Sequence, residues 1–158
     1  MNNKLLIGSA GEFFVAGEIS RRGGIVALTR SGTIGVDILA SDQNCSSSVQ
    51  IQVKTSLTKK NKWPLSQKAE SFSGQNIFYI FVTLGNLGEY PNFFIVPSAH
   101  VSSYIKKDHS NWINKPGKNG QPHKDNLIRI FSITDAQQHE YFNRWDLLGL
   151  GLQFSLVL

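Results

Sequence analysis

The alternation of apolar and polar residues is most regular between positions 49 and 54. Every second residue of this segment is branched and apolar, and the residues between them are Gln50, Gln52 and Lys54. Because successive side chains of a strand point to opposite faces, the pattern predicts a strand with its branched residues in a core. The three polar side chains are then aligned on the other face.

The pattern of apolar residues also predicts the neighbouring elements. A helix is expected at about residues 9–22, ended by Gly23 and Gly24, and two short strands at 25–28 and 36–40, separated by a Gly/Ser-rich turn. Uninterrupted apolar runs at 77–84 and 93–96 are typical of strands covered on both faces. The other predicted segments are a polar loop with a short helix at 57–76, a helix at 97–107, a loop at 108–126, a strand at 128–131, and a helix from Thr134 or Asp135 to Leu148.

Taken in order, these elements predict an α/β (α+β) sandwich in which a mixed central sheet is flanked by helices. A chain of 158 residues, 41% of them hydrophobic, is long enough to build one such core. We therefore expect a single domain that spans residues 1–158.

The composition of the chain indicates which cellular environment and which partners to expect. The net charge of +5 is a mild bias toward polyanions such as nucleic acid. The single Cys45 cannot form an internal disulfide, which favours a reducing compartment. The apolar N-terminus meets Gly8, Ser9 and Glu12 too early to be a secretory or membrane segment. These features predict a cytoplasmic protein with no membrane partner.

Asp37 is the first candidate for chemistry. It stands between Val36 and Ile38 in the predicted apolar strand, where an isolated carboxylate is unfavourable unless it meets a metal or a hydrogen-bond donor. On the next strand Gln52 and Lys54 share a face, so an amide oxygen is available as a ligand and an ammonium as a phosphate contact. The backbone carbonyl of Val53 is a further candidate ligand. Hard oxygen ligands of this kind are what a divalent cation needs to assist phosphodiester hydrolysis.

These residues carry a resemblance to a known family. The run Gly35-Val36-Asp37-Ile38, followed by Ile51-Gln52-Val53-Lys54, resembles the core motif of PD-(D/E)XK nucleases, and the form with Gln is similar to that of Mrr-type restriction endonucleases. Upstream, Glu12 on a helix and the Arg30-Ser31-Gly32 turn resemble archaeal Holliday junction resolvases. The resemblance covers roughly the first third of the chain.

The resemblance implies a restriction-endonuclease-like fold and a site for Mg²⁺ or Mn²⁺. Asp37 and Gln52 would bind the metal with the carbonyl of Val53, Glu12 would be a further ligand, and Lys54 would assist the attack. Ser31, beside Arg30, would contact the scissile phosphate. The implied function is that of a metal-dependent endonuclease that hydrolyses DNA phosphodiester bonds.

The sequence departs from the motif at two positions. Val36 stands where the motif has its proline, and Gln52 stands where it has its second acid. A neutral ligand holds Mg²⁺ more weakly than a carboxylate does. The alternative function is therefore a catalytically inactive nuclease-fold domain that binds nucleic acid or a protein partner.

Each candidate also has a purely structural interpretation. Glu12 follows Ser9 at the spacing of a capping box. Asp37 is also explained by hydrogen bonds from glycine amides, and Lys54 by solvent exposure on an edge strand.

Basic and apolar segments outside the motif leave further alternatives open. Lys59, Lys60 and Lys62 beside Trp63, and several lysines around Trp112, would either follow a phosphate backbone with the indoles stacked on bases or form solvated loops with the indoles in the core. His109 and His123 suggest a nuclease of the His-metal kind, but the chain around them does not predict its strand-turn-helix frame. The apolar run at 147–158 would form a homodimer interface or complete the core of the monomer.

Overall fold

The computed structural model describes residues 3–30, 35–58, 60–117 and 120–152. Its elements, in chain order, are α1 (Asn3–Arg21), β1 (Ile25–Leu28), β2 (Ile38–Ser41), β3 (Ser48–Ser56), β4 (Lys62–Ser66), a 3-10 helix (Gln67–Glu70), β5 (Ile77–Thr83), β6 (Asn92–Pro97), α2 (Ser98–Ile113), β7 (Ile128–Ser132), α3 (Asp135–Tyr141) and a second 3-10 helix (Trp145–Leu148).

The central sheet has five strands in the order β1-β2-β3-β5-β6. The pair β3–β5 is parallel and the other neighbours are antiparallel, so the sheet is mixed as predicted. Parallel neighbours need a crossover connection between them. Here the crossover contains β4 and the first 3-10 helix, and β4 pairs with β7 in a separate two-stranded sheet.

Hydrophobic layers cover the two faces of the central sheet. Val15 and Ile19 of α1, together with the second 3-10 helix, pack on one face, which holds the branched residues of β3. On the other face, α2 and the small sheet pack against β5 and β6 through Val101, Ile105 and Phe131. The predicted burial of Val49, Ile51 and Val53 is confirmed, because at most 5% of each is exposed.

The first helix and the second strand begin at different residues from those predicted. Helix α1 begins at Asn3, so Ser9 lies in its middle and the predicted capping box of Ser9 and Glu12 is wrong. Strand β2 begins at Ile38, so Asp37 lies just before the strand rather than within it.

The segment predicted as a polar loop with a short helix contains β4 and the first 3-10 helix. Pro64 argues against a strand in the sequence, but it is tolerated because β4 belongs to a two-stranded sheet, where one edge of each strand needs no partner. Trp63 of this strand is 1% exposed and packs on Phe81, so of the two alternatives for its indole the one in the core is confirmed and the one stacked on bases is wrong.

The helices of the C-terminal half also differ from the prediction. Helix α2 continues to Ile113, across residues predicted as loop. Helix α3 ends at Tyr141 because Phe142 is extended and bridges to Phe94, and the Asn143 N–H donates to the Phe93 carbonyl at 2.9 Å. These tertiary bonds divide the helix predicted up to Leu148 into two elements.

The alternatives left open for the C-terminal half are partly resolved. Leu148 and Leu150 are buried in the core, so the described part of the apolar run completes the monomer, while residues 153–158 lie outside the described part. Trp112 is half-buried, with its ring stacked on that of His123 and in contact with that of His109. Of the helices in the described part of the chain, none has the length and apolarity to cross a membrane.

Candidate active site

The close approach of α1 to β3 determines where Glu12 lies. A Cβ placed on Gly11 would be 1.9 Å from Thr55 Oγ1, so only glycine allows the helix to lie this near to the strand. Glu12 is the next residue of the helix and is half-buried. The contact therefore holds a carboxylate beside the polar end of β3.

The backbone of Asp37 is held between two strands. Its N–H donates to the Ile51 carbonyl at 2.9 Å, and its carbonyl accepts from the Thr29 N–H at 2.9 Å. Just before it, Gly35 has a φ of +75°, and the Phe72 ring fills the space that a side chain at position 35 would need. This turn directs the Asp37 side chain toward β3.

The Asp37 carboxylate contacts two consecutive residues of β3. Oδ2 accepts a hydrogen bond from the Val53 N–H at 2.7 Å and another from Gln52 Nε2 at 2.5 Å. In an extended strand the N–H and the carbonyl of one residue point to the same side. The Val53 carbonyl is thus directed toward the side of β3 on which Asp37 lies.

The orientation of the Gln52 amide matters for ligand binding. Its nitrogen donates to Asp37, so its oxygen points elsewhere in this arrangement. An amide nitrogen has no lone pair for a cation, whereas the oxygen has two. To bind an ion together with Asp37, the amide must rotate by a half-turn.

The charges of Asp37 and Lys54 affect the pKa of Glu12. Burial raises the pKa of Glu12 above its ordinary value of 4.5, the Asp37 charge raises it further, and Lys54 opposes the shift. The Asp37 carboxylate and the Lys54 ammonium therefore lie near enough to Glu12 to affect its pKa, although the three groups come from α1, the residue before β2, and β3.

Tyr79 is a member of this region that the sequence patterns did not reveal. It pairs in register with Gln52 across the parallel strands and is 2% exposed. Burial, with a smaller contribution from the Asp37 charge, raises the pKa of Tyr79 to about 12, so the phenol is neutral. The sequence does not reveal this proximity, because Tyr79 lies in a continuous apolar run and the register of β5 on β3 is a long-range feature.

The donor set fits a hard divalent cation. No three acidic, histidine or cysteine side chains come together among the described residues. Mg²⁺ does not need them, because it is commonly held by one or two carboxylates with carbonyls and waters completing an octahedron. Glu12, Asp37, the Val53 carbonyl and a rotated Gln52 amide would supply such a set of oxygens.

The predicted nucleic-acid contacts that the structure describes lie on the surface. Arg30, Lys60 and Lys62 are exposed, and Lys62 is the first residue of β4 rather than part of a loop. Ser31 and Lys59 lie outside the described residues.

Comparison with known proteins supports the fold. No protein-family model matches the sequence, and no curated protein matches it significantly. Among solved structures, a bacterial homing endonuclease, I-Ssp6803I, superposes with a TM-score of 0.55 and 15% identity, over 96% of this chain and 95% of that chain. Hjc, a Holliday junction resolvase from the archaeal hyperthermophile Archaeoglobus fulgidus, superposes with a TM-score of 0.52 and 13% identity, over 93% of this chain and 97% of that chain.

These similarities establish the fold of the chain. The chain has the restriction-endonuclease-like fold of the PD-(D/E)XK nucleases, as the sequence motifs predicted. Identities of 15% and 13% establish the fold alone.

Proposed function

We propose that the protein is a metal-dependent endonuclease that hydrolyses phosphodiester bonds of DNA. The observation that carries the proposal is the contact of Asp37 with Gln52 and the Val53 N–H, made where Glu12 and Lys54 also influence the local charge. The structural neighbours support it, since both are described as proteins that act on DNA, a homing endonuclease and a Holliday junction resolvase.

The roles of the residues follow from their chemistry. When bound, a divalent cation would neutralise charge that develops on the phosphate and would activate a water molecule as the nucleophile by lowering its pKa. Asp37, Glu12 and the Val53 carbonyl would hold it. The Val53 N–H fixes the orientation of the Asp37 carboxylate, and the carboxylate oxygen that does not accept this bond would be available to the cation. Lys54 binds the phosphate and orients the attacking water through its ammonium.

Cleavage assays with paired variants test the proposal. Asp37→Asn and Lys54→Ala are expected to lower the cleavage rate in Mg²⁺ by roughly 100-fold or more, because each removes a group that stabilises the transition state. Asp108→Asn and Lys107→Ala change exposed groups on α2 in the same way and are expected to cut like the wild type. Equal rates in all four variants would refute the assignment.

One observation favours a second function, that of a nuclease-fold domain that binds DNA or a protein partner without cutting. The hydrogen bond from Gln52 gives the Asp37 carboxylate a donor in the absence of a metal, whereas a second acid at position 52 would repel it. Stable DNA binding with no cleavage in Mg²⁺ or Mn²⁺ would support this function over the first.

Cutting both strands of a duplex in one binding event requires two sites, so we propose that two copies of the chain act together as a homodimer. Residues 147–152 do not supply the interface, because Leu148 and Leu150 are buried within the monomer. Sedimentation equilibrium measures the association directly, and a monomer at all concentrations, with or without DNA, would exclude it.

A further inference from the structure

A cavity of about 430 Å³ opens beside the candidate active site. Gln52 and Lys54 of β3 form one side of it, so the same two side chains face both the site and the cavity. The crossover between β3 and β5 forms the opposite side with Leu65, Lys68 and Phe72. A ligand in the cavity would therefore lie directly next to a phosphate held by Lys54.

The inner wall of the cavity is aromatic. The rings of Phe72 and Tyr79 meet nearly at right angles, with centroids 5.9 Å apart and an interplanar angle of 87°. Tyr79 is stacked in turn on Phe81 in the core. Tyr79 is only 2% exposed, so the half-buried Phe72 ring is the aromatic surface on which a flat ligand can pack without a change in the fold.

The 3-10 helix that carries Lys68 is firmly attached. Ser66 accepts a hydrogen bond from the Lys68 N–H at 3.3 Å, and Ser71 Oγ donates to the Lys68 carbonyl at 3.1 Å. Glu70 is held from outside by the Ser102 hydroxyl, which donates to its carbonyl, and by an ion pair with the buried Arg129. The exposed Lys68 ammonium therefore extends from a fixed position.

The residues that line the cavity indicate which class of ligand it can bind. The volume lies within the range of small-molecule sites, roughly 300–1,000 Å³. Two ammonium groups and an amide accompany the aromatic wall, and none of the described lining residues is acidic. This combination suits a planar, hydrogen-bonding ring that is joined to phosphate, which describes a nucleotide.

We propose that this cavity takes the base of a single unpaired nucleotide adjacent to the phosphate that is cut. The proposal rests on the nuclease function above and specifies its substrate class. A base that is stacked in a continuous duplex does not reach a pocket of this kind without being extruded, and extrusion requires least energy where the base is already unpaired. The preferred substrate is therefore DNA with a bulge, a flap or a branch point rather than a uniform duplex.

Photocross-linking tests where the base lies. A duplex with one bulged 5-iodouracil is bound to the full-length protein in EDTA, so that no strand is cut, and irradiated. The expected cross-link, mapped by mass spectrometry, is at Phe72. Cross-links confined to residues outside the cavity, or an equal yield when the iodouracil is paired, would overturn the proposal.

Substitution of Phe72 tests the contribution of stacking. Phe72→Leu keeps an apolar wall but removes the ring, and it is expected to lower the affinity for bulged DNA relative to the matched duplex about tenfold, the effect of one lost base–aromatic stack. Phe72→Tyr keeps the ring and is expected to retain the preference. Phe142→Leu is the control, since Phe142 also packs on the core through Phe94 but does not line the cavity.

The outcomes separate this proposal from the nuclease function. Thermal unfolding of each variant identifies loss of folding, and an equal loss of preference in Phe72→Tyr and Phe72→Leu would exclude stacking as the cause. A wild type that cuts bulged and uniform duplex equally well would overturn the cavity proposal and leave the nuclease function standing. A protein that neither binds nor cuts any DNA would overturn both.

Discussion

Gln52 is the residue at which this site departs most from an acidic nuclease centre. In the absence of metal its amide donates to Asp37, which keeps the carboxylate in place without a second negative charge. Ion binding has to break that bond and rotate the amide. The expected result is a site that is well ordered without metal and has a modest affinity for Mg²⁺.

Replacing Gln52 with an acid is expected to lower the stability of the protein without metal and to raise its affinity for Mg²⁺. In Gln52→Glu two carboxylates face each other, so the melting temperature without metal falls, while Mg²⁺ binds about tenfold or more tightly because the ligands carry more charge. The rise in melting temperature with added Mg²⁺ therefore exceeds that of the wild type. Gln50→Glu, on the same face of β3 but exposed, is the control. The same Mg²⁺ response in both variants would contradict this view.

Glu12 gives a prediction about pH. Its raised pKa means that folding favours the protonated carboxyl, so its ionisation lowers stability as pH rises from 4.5 through the higher pKa of the folded state. Without metal, Glu12→Gln is therefore expected to be more stable than the wild type at pH 7, and the difference should disappear below about pH 4. Thermal unfolding against pH measures it, with Asp108→Asn as the control; no difference at pH 7 would show that Glu12 is not destabilised there.

The sequence reveals some residues of the site and conceals others for a physical reason. Gln52 and Lys54 are visible because strict alternation places them on one face of one strand. Tyr79 and Lys68 reach the region only through the pairing of β5 on β3 and through the path of the crossover. Local patterns do not encode contacts of that range, so the aromatic and second basic side of the site are visible only in the structure.

At the scale of elements, the packing of α1 on β3 depends on the one glycine that faces the strand. Gly11→Ala would place a methyl group against Thr55, with the Cβ only 1.9 Å from Oγ1. Overpacking of this kind costs about 1–3 kcal/mol, partly offset by the better helix propensity of alanine, about 1 kcal/mol. We therefore expect a net loss of unfolding free energy and lower cleavage activity as Glu12 shifts.

Two other glycines of the same helix serve as controls. A Cβ on Gly8 or Gly17 would have no heavy atom within 4 Å. Gly8→Ala and Gly17→Ala are expected to raise the unfolding free energy by about 0.5–1 kcal/mol in chemical denaturation. If Gly11→Ala were stabilised as much as these two, the proposed tight contact with Thr55 would be wrong.

Elements with strong local signals are easier to predict than those that depend on partners. Strand β3 and the apolar strands β5 and β6 follow the predicted positions closely, because the pattern of apolar residues within each strand indicates which side chains are buried. Strand β4 was missed because Pro64 disfavours a strand and only the distant β7 gives it a partner. The break after α3 likewise depends on bonds from Phe142 and Asn143 to β6.

At the scale of the whole molecule, one buried charge connects the small sheet to the crossover. Arg129 of β7 is 3% exposed, and its guanidinium binds the Glu70 carboxylate and the carbonyls of Asn126 and Ile128. The opposing Glu70 side chain is 24% exposed. The pair thus fixes the second hydrophobic layer to the wall of the cavity.

Removing this cation is expected to weaken the entire layer. Arg129→Met leaves a partly buried carboxylate and two carbonyls without their donor, which we expect to lower the unfolding free energy by about 3 kcal/mol. Chemical denaturation measures the loss, and Lys106→Met, an exposed cation of α2, is the matched control. A change within experimental error of that control would mean that the ion pair contributes little to stability.

The order of elements was sufficient to predict a mixed sheet flanked by helices, but the sequence alone did not give the strand order. The parallel pairing of β3 with β5, within an otherwise antiparallel sheet, joins strands that are separated in sequence by the crossover, so the residues of neither strand alone indicate it.

The crossover between β3 and β5 has one further consequence. The register of β2, β3 and β5 fixes the groups that we assign to hydrolysis, whereas Leu65, Lys68 and Phe72 of the crossover line the cavity in which we propose that a base binds. Exposed side chains of this connection, such as Lys68, can change without altering that register. Substrate preference in proteins of this architecture can therefore diverge rapidly while their chemistry stays constant, and exchange of this single segment between relatives offers a direct route to engineer new specificities.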